Sequence, residues 1–448
     1  MKLRYLGTFT ATMVLVAACG GGGTATTRPS TAASTAASAA PSAAQSAAPT
    51  QGGGGTLDTV KIGVDLPLSG ASVANGQPTL QGVELAVKEW NEADHGYTVE
   101  LNVQDDAVNG VYNPEQGASN ANTLVADEAV VGMVGPFNSS VARAIIPVTN
   151  EFGLAQCSPA NTAIDLTKEG SEVYRPAKPD QRNYFRVATP DDVQGPAGGQ
   201  YTYTDLGKRA ALVIDDTTAF GVGVADTFST EFEALGGTIV DRQSNDYAVN
   251  TSFSAILTAA GDEFDVVYFG GTQTLGGGQL RRDMGAAGLL DITMVGPDGI
   301  TDLGKGGDEG TFITLAGVEN SDNVHGTIAG ANALELDIAA DFNAAYEAEY
   351  DVTPGAYSAL AHACTSVLLQ AIDANIDTAA DLAALREAVR ASIIGQDTPW
   401  STVLGDISFD ANGDSSQKWI SFYETDPSLN DGAGGWVFVK QQDFSVTE

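Results

Sequence analysis

The chain has 448 residues and carries 57 Asp+Glu against 21 Lys+Arg, a formal net charge of -36. So acidic a surface excludes a nucleic-acid partner, because holding phosphates needs a basic patch. With 43% apolar and only 17% charged residues the composition is that of a globular protein, long enough for two or three domains. Three His and three Cys are too few and too scattered for a zinc scaffold or a disulfide framework, and no metal or other cofactor is expected.

In chain order, Lys2 and Arg4 precede a short apolar stretch from Leu6 to Ala18. It is far shorter than the ~20 residues of a spanning helix, so residues 1–18 read as a signal peptide. The string Val16-Ala17-Ala18-Cys19 is similar to a bacterial lipobox, which makes Cys19 the expected lipidated N-terminus of the mature chain. The alternative is plain secretion, with Cys19 near the cut by chance. Residues 19–56 are then a disordered tether built from Gly, Ala, Ser, Thr, Pro and Gln apart from Cys19 and Arg28. As a flexible coil it spans roughly 30–35 Å root-mean-square. Every Asp and Glu lies beyond it, so the body is strongly acidic and is expected outside the cytoplasm, held to the cell membrane by lipid alone.

The body alternates strand and helix. VKIGVDL (60–66) is a strand, and Leu80, Val83, Val87 and Trp90 mark one face of a helix over 78–93. TVELNVQ (98–104), a helix near 114–126, VVGMVGP (130–136), a helix near 140–151 and LAQCSP (154–159) continue the series. After a Pro- and charge-rich stretch (168–192) the rhythm restarts with AALVIDD (210–216), a helix near 219–235 and GTIVDRQ (237–243). A helix near 253–260, DVVYFGG (265–271), a helix near 275–288 and TMVGPDG (293–299) complete that second run. Beyond VHGTIAG (324–330) come helices near 336–350, 356–374 and 381–393, then ISFDANGD (407–414), KWISFYE (418–424) and WVFVKQ (436–441). This is an α/β chain with two Rossmann-like lobes, each a parallel sheet covered by helices and facing a common cleft. The lobe boundaries expected are 57–191 plus about 328–410, and 192–327 plus about 411–448. Ligands of such sheets sit beyond the carboxyl ends of the strands, so the loops there are the candidate site.

Four of those loops stand out. GPFNSS (135–140) puts Ser139 and Ser140 where a helix opens, and hydroxyls with free N–H groups there hold a carboxylate without Arg. SPANT (158–162) offers Thr162, GGTQ (270–273) lets backbone approach a ligand closely, and GPDG (296–299) presents Asp298 to an ammonium group. Singly, each is also read as a helix cap or a turn. Together, and in order with QGVELAVKEWN (81–91), QDDA (104–107), DDVQGPAG (191–198), AFGVGVAD (219–226) and FSAIL (253–257), they resemble the periplasmic leucine/isoleucine/valine-binding proteins. These are type I solute-binding proteins of branched-chain amino-acid ABC transporters, and the resemblance covers almost all of residues 58–448.

The resemblance implies a non-enzymatic receptor that captures a small solute, foremost a branched-chain amino acid, and delivers it to an ABC permease. It also implies that Ser139, with an amide at Phe137 or Ser139, takes the α-carboxylate. Ser140, the Ala160 carbonyl, Asn161 and Thr162 through hydroxyl and amide complete the first-lobe site. Asp298 pairs with the α-ammonium, Phe220 closes the cleft, Thr272 lines it, and the protein is a monomer. This chain departs from the family where an aromatic residue is replaced near Asn75, where Thr272 stands in place of another, and where Val108 and Asn138 occupy positions often joined by a disulfide. The altered pocket keeps amides and urea-like solutes open as ligands. A sensor ectodomain of the same fold is a second alternative. A small-amide hydrolase is a weaker third, since no base is evident near Ser139 or Ser140.

Other features carry less. Cys157 and Cys364 are open to a disulfide or to two buried free thiols, the latter preferred. Asp105-Asp106, Asp191-Asp192 and Asp215-Asp216 read as solvated acids, and DANGD (410–414) as a turn that lacks the Gly and the acid of a calcium loop. GVGVAD (221–226) is a helix start, not a dinucleotide fingerprint.

Overall fold

The computed structural model describes residues 57–395 and 399–445. The signal segment, Cys19 and the tether lie outside the described residues. The first series consists of β1 (Thr59–Leu66), β2 (Thr98–Asp105), a small hairpin of β3 (Ala107–Val108) and β4 (Val111–Tyr112), β5 (Val130–Val134), β6 (Ala155–Ser158) and β7 (Tyr184–Arg186). Between them run α1 (Val73–Glu92), α2 (Pro114–Ala126) and α3 (Ser139–Phe152). The strands form a wholly parallel sheet in the order β2-β1-β5-β6-β7. β5 is buried along its whole length, which is why its sequence, VVGMV, is an unbroken apolar run.

The second series comprises α4 (Asp191–Gln200), β8 (Ala210–Asp215), α5 (Ala219–Ala234), β9 (Thr238–Ser244), α6 (Ser254–Ala260), β10 (Val266–Gly270), α7 (Gly278–Ala286), β11 (Thr293–Gly296), α8 (Phe312–Ala316) and β12 (Val324–Ile328). The chain then adds α9 (Ala340–Tyr350), α10 (Ser358–Ile376), α11 (Leu382–Ile393), a hairpin of β13 (Trp400–Thr402) and β14 (Gly405–Ile407), and finally β15 (Trp419–Asp426) and β16 (Gly435–Asp443). The second sheet runs β16-β15-β12-β11-β10-β8-β9, with β15 and β16 antiparallel at one edge. One large apolar core joins β1, α1 and α10, while separate cores cover the two faces of the second sheet. The fold is the two-lobed α/β arrangement expected.

Several expectations need correction. The stretch 168–192 is not a mere connector, since β7 within it completes the first sheet and α4 begins at its end. Its Pro and charge content hid a three-residue strand. Helix α1 starts at Val73 rather than at Pro78, because Gly76 lets the first turn lie on the Pro67 carbonyl, where a Cβ would come within 1.8 Å. Cys157 and Cys364 form a disulfide, with Cα atoms 5.7 Å apart, tying β6 to α10 across 207 residues. The acid pairs are only partly solvated: Asp106, Asp191, Asp215 and Asp216 are buried, while Asp105 is half-buried and Asp192 exposed. Strand-end carboxylates here organise loops, as Asp216 does by accepting from the Thr218 hydroxyl (2.6 Å) and the Thr272 N–H (3.1 Å).

Three crossing segments meet at one residue. The Thr189 N–H donates to the Ala329 carbonyl (2.9 Å) and its hydroxyl to the Trp419 carbonyl (2.8 Å). The Ser421 hydroxyl donates to the Gly330 carbonyl (2.7 Å), fastening the same joint.

Candidate functional site

A cleft lies beyond the carboxyl ends of strands from both sheets. Pro67 and Ser72 follow β1, Phe137, Ser139 and Ser140 follow β5, and Ala160 and Thr162 follow β6. On the facing wall Phe220 follows β8, Thr272 follows β10 and Asp298 follows β11. Of the residues expected from sequence, only Asn161 does not line it. Its side chain turns into the protein, donating to the Phe137 carbonyl (2.7 Å) and accepting from the Tyr184 hydroxyl (3.1 Å), and so ties together two loops that do line it.

On the first wall α3 opens at Ser139 after Asn138, whose extended backbone forms the cap position. The first-turn N–H groups of Ser139 and Ser140 have no intrahelical partner, and the positive end of the helix dipole faces the cleft. The Ser139 oxygen accepts from the N–H groups of Thr162 and Ala163, both at 3.3 Å. That leaves the Ser139 proton for an acceptor in the cleft. It also occupies the Thr162 amide expected to bind ligand, and the Thr162 side chain stands against the buried Asp191 carboxylate.

Arg186 holds this wall in place from behind. It is fully buried and donates to the carbonyls of Asn161 (3.3 Å) and Ala163 (2.8 Å) and to the Thr167 hydroxyl (2.7 Å). Its countercharge is Asp414 at 2.7 Å. Burial works against the Asp414 carboxylate, but the charge and hydrogen bond of Arg186 hold its pKa down at about 2. The DANGD turn exists to present that acid: Asp410 accepts from the N–H groups of Asn412 (2.8 Å) and Asp414 (3.0 Å). Among the described residues no group of His, Cys, Asp and Glu could hold a metal.

On the second wall Asp298 is buried, and burial pushes its pKa up to about 7. Gln194 on α4 donates to one oxygen at 2.8 Å, and the Tyr357 hydroxyl donates to the other. Tyr357 precedes α10, so this bond joins the two walls, and its ring meets Phe137 edge-on at 5.2 Å. Asp191 lies behind, wholly buried, with its pKa raised well above the ordinary range by burial and by the neighbouring Asp298. At the other end of the cleft Tyr112, on β4, lines the site; burial raises its phenol strongly, with Asp216 adding to the rise and the Thr272 side chain opposing it. Sequence reading missed Tyr112, Gln194 and Tyr357. The first stands on a two-residue strand, and the last reaches the site from some sixty residues beyond Asp298, with no local signal for either. The His residues stay away: His325 meets the Tyr201 hydroxyl, His362 meets Glu89, and His95 stacks on Trp90.

The sequence profile of the periplasmic binding proteins matches residues 59–428. Leu/Ile/Val-binding protein homolog 1 of Brucella suis is 30% identical over 398 residues, covering 87% of this chain and 95% of that one. The chain belongs to the Leu/Ile/Val-binding protein family. Leu/Ile/Val-binding protein BraC3 of Rhizobium johnstonii is also 30% identical, over 82% of this chain and 91% of its own. Among solved structures, the branched-chain amino-acid transporter substrate-binding protein LivJ of Streptococcus pneumoniae, in complex with isoleucine, superposes with a TM-score of 0.68. It is 24% identical and covers 85% of this chain and 100% of its own. A solute-binding protein of Rhodopseudomonas palustris in complex with benzoate gives 0.67 at 20% identity, over 86% of this chain and 96% of its own. The family is one of ABC-transporter substrate-binding proteins acting outside the cytoplasm, not of enzymes. No helix among the described residues is long and apolar enough to cross a membrane.

Proposed function

We propose that this chain is a membrane-tethered receptor whose lobes close on a free amino acid and present it to an ABC permease. The observation that carries the reading is the pairing across one cleft of a helix N-terminus with a buried carboxylate. The amides and hydroxyls of Ser139 and Ser140 offer donors for an α-carboxylate, and Asp298 offers the acceptor for an α-ammonium. A zwitterion taken out of water needs both, because either charge left unpaired costs more than the other gains. Thr162 adds its hydroxyl oxygen, Ala160 its carbonyl, Phe220 shuts the mouth, Phe137 and Thr272 line the remainder, and Asn161 braces the loop. The lobes divide as 57–191 with about 328–410, and 192–327 with about 411–448, turning about Thr189. Lipid on Cys19 and the tether to residue 56 keep the monomer at the membrane.

A thermal-shift screen against the twenty amino acids, urea, short amides and polyamines tests the ligand class. Ligand at a hundred times its dissociation constant adds about 2.7 kcal/mol of stability. A shift with amino acids is expected, and a shift with amides or urea alone would overturn the zwitterion site. For the anchor, Cys19→Ser is expected to move the protein from the membrane to the soluble fraction; retention without detergent would remove the lipid from the account.

A further inference from the structure

Beyond the groups that suit an amino-acid headgroup, the cleft sets a cluster of polar side chains among the apolar surfaces of Pro67, Phe137 and Phe220. Ser72 is 4% exposed, lines the cleft, and its hydroxyl has no hydrogen-bond partner among the described residues. Asn75 lies one turn along α1 on the same wall, and no described residue bonds its carboxamide. Opposite them, Gln273 is 3% exposed; its backbone N–H donates to the Gly299 carbonyl (2.8 Å) and its carbonyl accepts from the Gly278 N–H, while no described residue bonds its carboxamide. Thr274 shares a long 3.4 Å contact with the Thr272 hydroxyl. The Tyr112 phenol faces Thr272 from across the cleft. Among the described residues no Lys or Arg lines the cleft, and Asp298 is the only lining acid.

Such a lining is costly around an alkyl chain. Each buried hydroxyl or amide left without a partner gives up its hydration for nothing, and a site built to hydrogen-bond a substrate rejects the analogue lacking that group. With no cation on the wall, an acidic ligand side chain finds no counterion. With the lining acid turned to the headgroup, a basic one gains little. Building on the amino-acid reading above, we propose that the preferred ligand carries a neutral hydrogen-bonding side chain, a hydroxyl or a carboxamide. Ser72, Asn75 and Gln273 are its partners, and Thr272 and Thr274 shape the pocket.

Two near-isosteric pairs isolate this from size: threonine against valine, and asparagine against leucine. Calorimetric titration of the purified full chain is expected to give the polar member of at least one pair a tenfold or greater advantage. Gln273→Leu or Thr272→Val should shrink that ratio by weakening the polar ligand more than the aliphatic one. Valine and leucine binding as tightly as their partners would overturn the inference and leave the amino-acid receptor standing. Binding of amides or urea, with none of the four amino acids bound, would overturn both. The isosteric comparison uses the unaltered protein, so a variant that fails to fold does not blunt it.

Discussion

At the scale of single residues, Asp298 receives hydrogen bonds from the protein but no positive charge. It is buried next to Asp191, another buried acid, and its side-chain donors, Gln194 and Tyr357, are neutral. Burial therefore leaves it partly protonated around neutrality, with a pKa of about 7. An incoming ammonium supplies the positive charge that the protein withholds. Asp298→Asn keeps the shape and the Tyr357 contact but removes the charge, and is expected to weaken amino-acid affinity at least about tenfold. Titration calorimetry of wild type and variant checks it, and equal affinity would take Asp298 out of the headgroup site. Sequence reading reached this residue through the ordered resemblance of the strand-end loops, since Gly-Pro-Asp-Gly by itself is also a plain turn. It did not reach Tyr357, because nothing local in Ala356-Tyr357-Ser358 announces a partner so far back in the chain.

At the scale of elements, the two walls meet where backbone passes backbone. Gly310, in the loop between β11 and α8, has φ of +76° and stands against Ala71, just before α1. A Cβ on Gly310 would come within 1.8 Å of the Ala71 carbonyl oxygen, a backbone atom that cannot swing aside. The same φ is strained for any L side chain. Gly310→Ala is thus expected to hold the walls apart and raise the dissociation constant several-fold, while the helix content by circular dichroism stays unchanged. An unaltered dissociation constant would show that closure does not need this contact. The alternation of strands and helices was legible because parallel strands buried on both faces are continuous apolar runs and α3 and α11 carry clear faces. The short pieces were not: β7 has three residues and the β3–β4 hairpin four, too few for any period to show. Nor was the Cys157–Cys364 bond, since a strand and a helix 207 residues apart become neighbours only once the whole lobe is assembled.

For the whole molecule, the buried acids set the direction in which stability changes with pH. Burial raises Asp65 and Asp298 to about 7 and Asp216 and Asp302 to about 6, against roughly 3.9 in an unfolded chain. In each case the folded state holds its proton more tightly than the unfolded state. The stabilisation this brings is complete below about pH 4 and is lost as pH rises through 6 to 7. Two groups act the other way. Burial lowers His325 to about 4, so its contribution is present above about 6.5 and lost on acidification. Asp414, held at about 2 by Arg186, loses its contribution only below about pH 4. Four acids outweigh one imidazole, so the ligand-free protein is expected to melt roughly 5 °C or more higher at pH 5 than at pH 8. Surface repulsion among the excess carboxylates acts in the same direction but is screened by salt, whereas buried groups are not. The difference should therefore persist in 1 M NaCl, and its disappearance there would assign it to the surface. Because a bound ammonium favours ionised Asp298, the ligand-induced shift should in turn be larger at pH 8 than at pH 5. Melting curves at both pH values, with and without ligand, decide both points; a ligand shift that shrinks toward alkaline pH would mean that Asp298 meets the ligand protonated, as a donor to a neutral acceptor.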